Sequence, residues 1–420
     1  MKAEKISLKY GEGTIFADID RSRFETLTPP AFERPLSDAE IGDRLSDPLG
    51  TPPLEDKIEP GQTILLVVPD ATRQTACGQV ANLLVRRLIA AGVQPFDIRI
   101  IFATGIHRKV TAKERGDILT PFIAQRIKTI DHEPRDLMRI IDVGKSKNGY
   151  RIELNRALFE HDHVVLIGGV GFHYFAGFGG GRKLICPGLA SAKTIRETHR
   201  LALDRNTLTR ADGVGTGLLN GNAVHDAFIE AAKFVPNVFS ISSITDDSGR
   251  VTSLYCGDLD LSHRAACEHF AAQHTITIAE RRPLVIVGCG GVPHDINLIQ
   301  AHKALEAAAN ACCDGGKLIF VAECGEGLGR SDLLSWFTAI DSRALAEELR
   351  DHYQVNGQTA WSLLQKTERF DVRMVTALDE ETLQRMRIRK ASSVNEALPE
   401  DLPGYIIPAG SAIKIDVNSP

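Results

Sequence analysis

The chain has 420 residues, 43% of them apolar and 25% charged, with a formal net charge of -5. That length is enough for two cores, so disorder is not expected, and weak acidity with scattered Lys and Arg leaves no basic stripe for nucleic acid. The start MKAEKISLKYGEG has no apolar leader, and nowhere do eighteen apolar residues run together, so the reading is a cytoplasmic protein that does not span a membrane.

In chain order, residues 29 to 60 are proline-rich and read as a surface excursion around one short helix near 37 to 46. The apolar run Thr63 to Val68 predicts a buried strand, the spacing from Cys77 to Ala91 a helix, and Ile98 to Phe102 a second strand. A strand from His163 to Val170 and a helix from Ser191 to about Leu203 extend this βαβ alternation. Between 205 and 280 the signals are weaker: a helix near 223 to 233, β-like pieces at 238 to 255 and a helix near 262 to 273. A second unit begins near 282, with strands at Pro283 to Val287, Lys317 to Ala322 and Asp371 to Val375, a helix from Asp295 to Cys312, and two or three helices up to 368. These patterns predict two α/β domains with largely parallel sheets. A cofactor-binding domain covers 1–275 and a closing domain 282–404, with a tail, 405–420, able to pack back on the first.

The segment from Gly168 to His199 carries glycines at 168, 169, 171, 177, 179, 180 and 181, then Lys183. So many glycines cost backbone entropy and need a reason such as positive φ or close approach to a ligand. A lysine held by such a loop suits an amine nucleophile or a covalent attachment point. The Gly-Arg-Lys-Leu order does not fit a phosphate-binding P-loop, which needs Ser or Thr after its Lys. Cys186 reads as a small buried hydrophobe, and the eight cysteines, without CxxC spacing, read as reduced core thiols.

In open α/β sheets ligands bind beyond the carboxyl ends of the strands. Three predicted strands end in polar residues: Asp70-Ala71-Thr72-Arg73, Thr104-Gly105-Ile106-His107, and Gly171-Phe172-His173. Parallel strands bring them to one edge. The plain structural readings are Asp70 and Thr72 as helix caps and Arg73 as a surface residue. His199, four residues after Ile195, points inward, as a core histidine or a metal ligand. His161 and His163 open a strand and are read as solvated. Gln300 and Lys303 share a helix face and suit a carboxylate, His302 points elsewhere, and Gly325 to Gly329 either holds an anion or turns the chain.

Taken together, Asp70-Ala-Thr-Arg73, Thr104-Gly-Ile-His107, His173, Gly-Gly-Arg-Lys183 with Pro187-Gly188, Thr194-Ile195 with His199, and Asp295-Ile-Asn-Leu-Ile-Gln300-Ala-His-Lys303 resemble the nickel-dependent lactate racemase family over most of the chain. The resemblance implies a nickel-pincer nucleotide, a pyridinium-3,5-bisthiocarboxylic acid mononucleotide carrying Ni, made by separate biosynthesis proteins. By the same resemblance Lys183 joins it through a thioamide, His199 ligates nickel, and His107 and His173 are the acid/base pair. Asp70, Ala71, Thr72 and Arg73 belong to the cofactor site, Arg73, Gln300 and Lys303 contact substrate, and an active-site cleft lies between the two domains. The implied reaction inverts C2 of a 2-hydroxy acid. Where these racemases usually place a tyrosine before the glutamine, this chain has Ile299, which implies a substrate other than lactate. Two rivals are a phosphate- or nucleotide-binding transferase, with Lys183 as a point charge, and a non-catalytic relative that keeps the fold as a binding module.

Overall fold

The computed structural model describes residues 3–29, 33–73 and 75–418, so Pro30 of the proline-rich excursion lies outside the described residues. Two six-stranded sheets organise the chain. The first has the order Val251–Gly257, Val238–Thr245, His163–Gly169, Ile64–Pro69, Ile98–Ala103, Lys128–Asp131, and only its first pair is antiparallel. The second runs Arg389–Lys390, Asp371–Val375, Cys312–Val321, Arg282–Gly288, Gly404–Ile407, Phe24–Thr26 and is parallel throughout. The α/β class with largely parallel sheets is therefore the observed one.

Strand composition explains the layering. Every residue of Ile64–Pro69 is buried, as expected for a parallel strand covered on both faces. Its alternate side chains enter different cores: Ile64, Leu66 and Val68 pack with Val80, Leu84 and Leu88 of the helix Cys77–Ala90. Leu65 and Val67 pack with Leu184, Ile185, Leu189 and Ile195, so the segment around Lys183 rests on the sheet's other face. Truncating one such leucine to alanine typically costs about 2–5 kcal/mol.

Several elements depart from the sequence reading. The strands Ala3–Tyr10 and Gly13–Asp20 form a hairpin whose Leu8, Ala17 and Ile19 pack on Leu284 and Ile286 of the second sheet, and Phe24–Thr26 is that sheet's edge strand. The tail likewise supplies Gly404–Ile407 to the second sheet, while Lys414–Val417 pairs with Thr275–Ile278. Residues 3–26 and 404–417 thus sit with the second sheet instead of the first. Short strands paired across the whole chain carry no local signature of their partner. The expected helix from Asp295 to Cys312 is really Leu298–Ala301 and Ala304–Ala311, followed by a strand. Asp295 is unavailable to it, because its Oδ2 accepts the N–H groups of Gly11 (2.8 Å) and Glu323 (3.2 Å). His161 and His163 are not solvated: His163 is buried with Nε2 2.7 Å from Gln62 Oε1, and His161 Nδ1 lies 2.8 Å from the Ala157 carbonyl. The cysteines are free thiols, all but Cys313 buried. Among the described residues no helix is long and apolar enough to cross a membrane.

Candidate active site

Lys183 lies in a short 3-10 turn, Gly181–Leu184, that follows two glycines with positive φ. At Gly180 (φ +72) a Cβ would fall 2.7 Å from the Gly169 carbonyl oxygen, and at Gly181 (φ +50) 2.6 Å from the His263 ring. The glycine run is therefore needed for close packing against the strand end. Arg182, with no exposed surface, clamps the same loop by donating to the carbonyls of Ala176 (2.7 Å), Gly179 and Gly180 (both 3.4 Å). Among the described residues no carboxylate bonds to it, and burial lowers its pKa to about 10. The Lys183 amine itself sits 5.5 Å from the Phe175 ring centre and 5.2 Å from that of Phe228. Burial first, then the charges of Arg73, Arg182 and Lys303, hold it well below the usual lysine range.

His199 ends the helix Ala192–His199 and packs against the same two rings, 5.1 Å from Phe175 and 5.5 Å from Phe228. Its Nδ1 faces the Thr198 hydroxyl at 3.4 Å, and the ring also bonds the backbone of Ile195. Burial and Lys183 lower its pKa to about 3, so the imidazole is neutral and able to ligate a metal. A lysine amine and a histidine nitrogen thus share one aromatic wall.

His107 and His173 follow the strands Ile98–Ala103 and His163–Gly169, which flank the strand Ile64–Pro69 that leads to Asp70. His107 Nδ1 is 2.7 Å from Asp70 Oδ2 and donates to it, which leaves the Nε2 lone pair free. Thr72 donates to the other carboxylate oxygen through N–H (3.0 Å) and hydroxyl (2.6 Å). Burial pushes Asp70 up, but His107, Arg73 and Thr72 outweigh it and hold the carboxyl well below its ordinary range. Asp70 and Thr72 do not cap the following helix, whose N-cap is Ala76. The His107 turn is seated on the lysine loop through Gly105, whose N–H donates to the Gly188 carbonyl at 2.9 Å.

His173 has a different setting. It is buried, and its Nδ1 accepts the backbone N–H groups of Ala176 (3.3 Å) and Phe175 (3.5 Å), so the neutral ring carries its proton on Nε2. Burial, Lys183, Lys303, Arg73 and His199 all push its pKa well below 6.5.

The second sheet contributes Gln300 and Lys303, bonded to each other with Nζ 2.5 Å from Oε1. Burial and Arg73 hold Lys303 far below the lysine range, with Asp70 opposing them. Arg73, Asp70, His173, Lys183 and Lys303 thus act on one another electrostatically, although they come from both sheets.

Residues 10–210 match the family model of the lactate racemase N-terminal domain, and residues 278–402 that of the lactate racemase C-terminal domain. The chain belongs to the lactate racemase family. The lactate racemase of Thermoanaerobacterium thermosaccharolyticum is 29% identical over 336 residues, 79% of this chain and 77% of that protein. That of Lactiplantibacillus plantarum is 29% identical over 328 residues, 77% and 76% of the two chains. The structure of the T. thermosaccharolyticum lactate racemase apoprotein superposes with a TM-score of 0.87 at 26% identity, covering 98% of this chain and 100% of that one. A Thermotoga maritima protein shares the fold at a TM-score of 0.72 and 20% identity, over 93% and 100% of the chains. Membership of the lactate racemase family makes the chain a racemase, and the family is nickel-dependent in general.

Seen as a lactate racemase fold, the molecule gathers the residues singled out in the sequence. Ala71 and Thr72 are half-exposed in the turn after Asp70, and Arg73 is exposed at its end. Sequence reasoning missed three features. Arg182 was passed over for its neighbour Lys183, since burial of an arginine leaves no trace in spacing. His294, after the strand Arg282–Gly288, faces Lys303 and Arg73, and burial with those cations lowers its pKa to about 4. Its signal was its place at a strand end, the same rule that found His107. Tyr174, next to His173, is buried with its ring 5.0 Å from His302, a contact between the two halves of the chain.

Proposed function

We propose that this racemase inverts C2 of a 2-hydroxy acid other than lactate, using a nickel-pincer nucleotide attached at Lys183. What carries the reading is the buried Lys183 amine and the His199 ring packed on the same two aromatic rings, with two histidines after the strands either side of Asp70. The residues fit the group: burial and neighbouring cations disfavour the charged form of the Lys183 amine, as an acyl link needs, and the His199 imidazole is neutral and able to ligate nickel. Among the described residues no cluster of three or more His, Cys, Asp or Glu is placed to hold a metal ion. His199 would be one donor, and the organic group would supply the others. When bound, the nucleotide supplies an acceptor for the C2 hydride, the step that side chains cannot perform.

The chain's own residues then do the rest. Arg73 and Lys303 pair with the substrate carboxylate, and Gln300 orients the Lys303 amine through its 2.5 Å bond. His107 Nε2 takes the hydroxyl proton, and the Asp70 carboxylate stabilises the imidazolium that results. For His173, on the strand at the other side of Asp70, to serve the opposite face of the planar keto acid, its proton must move from Nε2 to Nδ1 at the expense of the bonds from Ala176 and Phe175. Ile299, where these racemases usually carry a tyrosine, offers no hydroxyl, and that absence is what favours a substrate other than lactate; its side chain is partly buried against the apolar core of the second sheet. In this reading the active site lies in a cleft between the part built on the first sheet and the part built on the second.

The test is peptide mapping of Lys183 by mass spectrometry, with nickel analysis, on protein co-produced with the cofactor-synthesis proteins. The expected result is a nucleotide mass on Lys183 and bound nickel, followed by a chiral screen of 2-hydroxy acids; an unmodified Lys183 under those conditions refutes the reading. Substrate deuterated at C2 should keep its label in the inverted product, because hydride leaves and returns without exchanging with water.

A further inference from the structure

Behind Lys303 lies a largely buried carboxylate that the chemistry above does not use. Glu306 stands one turn further along, at the start of the helix Ala304–Ala311, with its side chain 14% exposed. It accepts from three side chains: Arg210 (2.9 and 3.3 Å), Lys366 Nζ (2.7 Å) and the Ser362 hydroxyl (3.3 Å). Lys366 and Ser362 belong to the helix Val355–Arg369 beside the second sheet. Arg210 comes from elsewhere. It ends a tight turn that begins just after the helix Ala192–His199, closed by Asp204 N–H to the Thr209 carbonyl (2.9 Å) and Ala211 N–H to the Ala202 carbonyl (3.0 Å). In that turn Leu203 and Leu208 are buried in the core of the second sheet, while Ala202 belongs to the core under the lysine loop.

The chain therefore runs from His199, through ten residues of turn, to a guanidinium fixed on Glu306, and from Glu306 back one turn to Lys303. A second bridge runs alongside, where Tyr174, next to His173, meets the ring of His302, next to Lys303. A carboxylate between two cations in a nearly dry place has few alternative positions, because moving it would strand buried charge. It acts as a fixed point for the residues one turn away. We propose that Glu306, gripped by Arg210 and Lys366, is the positioning residue that holds Lys303 and Gln300 against the His173 and His199 side of the site. The role given to those four residues rests on the function proposed above, whereas the placement itself does not.

The experiment uses the full-length apoprotein, so it needs neither cofactor nor substrate. Glu306→Gln would leave two buried cations unpaired and risk the fold, so the variants are Arg210→Met, which removes one arm and keeps the Glu306 to Lys366 pair, and Arg210→Lys, which restores a charge. Hydrogen exchange of peptides from 297–311 should quicken about tenfold in Arg210→Met, the scale of one charge-assisted bond, while peptides of the strand Ile64–Pro69 keep their wild-type rates. Trace acetylation should label Lys303 several-fold faster, about threefold or more, with other lysines unchanged. Arg210→Lys should return both readouts most of the way to wild type. Unchanged exchange in 297–311, or a rise spread evenly over the whole chain, overturns the proposal. If instead Lys183 proves never to carry a nucleotide, the racemase mechanism fails and this exchange result still decides the placement.

Discussion

The two histidines proposed as proton carriers occupy opposite kinds of surroundings. His107 has a side chain 39% exposed to water and a carboxylate at 2.7 Å. His173 is buried, accepts backbone N–H groups, and faces Lys183, Lys303, Arg73 and His199. The lesson is that a racemase with two symmetrical tasks need not have two equivalent bases. His107 has a carboxylate beside it, whereas the positive charge of Lys303 and Arg73 opposes a proton on His173 until a substrate anion offsets it.

The largest effects should come from removing the carriers themselves. His107→Ala and His173→Ala are each expected to lower kcat by about 10²-fold to 10⁴-fold while Lys183 stays modified, as measured by chiral chromatography and mass spectrometry. Asp70→Asn tests whether the two differ. It keeps the shape and removes the charge that only His107 contacts, so kcat should fall by about 10²-fold. If Asp70→Asn left kcat unchanged, the carboxylate would have no part in proton transfer.

A smaller effect is expected at Lys303, which opposes protonation of His173. Lys303→Met removes one partner of the substrate carboxylate and should raise KM by about tenfold. It should also move the His173 titration upward, toward its ordinary value, while leaving the His107 ring signal in place. Imidazole NMR across a pH series follows both rings separately.

The smallest effect concerns stability, where the buried class of histidine outnumbers the exposed one. Burial lowers His132 to about 4 and His225 and His302 to about 3. Their folded values lie below the unfolded value of about 6.5, so below that pH the unfolded chain binds more protons than the folded one. The stability they contribute is complete above about 6.5 and is lost as pH falls toward 4 and 3. Urea unfolding of the apoprotein should therefore show a lower midpoint at pH 5 than at pH 7, corresponding to a loss of up to about 2 kcal/mol per such histidine. Equal midpoints would mean that these imidazoles are not kept neutral by the fold.

The sequence alone determined the local part of this arrangement. Runs such as Ile64 to Val68 can only be strands covered on both faces, and the rule that parallel strands present their carboxyl ends to ligands led from those runs to Asp70, His107 and His173. The glycine run announced Lys183, because backbone at positive φ or in close contact tolerates little else. Tertiary structure decided what depends on distance along the chain. The N-terminal hairpin joins the second sheet, Asp295 is spent on Gly11, 284 residues away, and Arg210 meets Glu306 across 96 residues. None of these has a periodicity to read, since a hydrogen bond between remote segments is specified by packing of the whole and not by spacing within either one. The contrast between His107 and His173 belongs to the same class: the residue type is identical, and only the folded surroundings set a carboxylate beside one ring and cations beside the other.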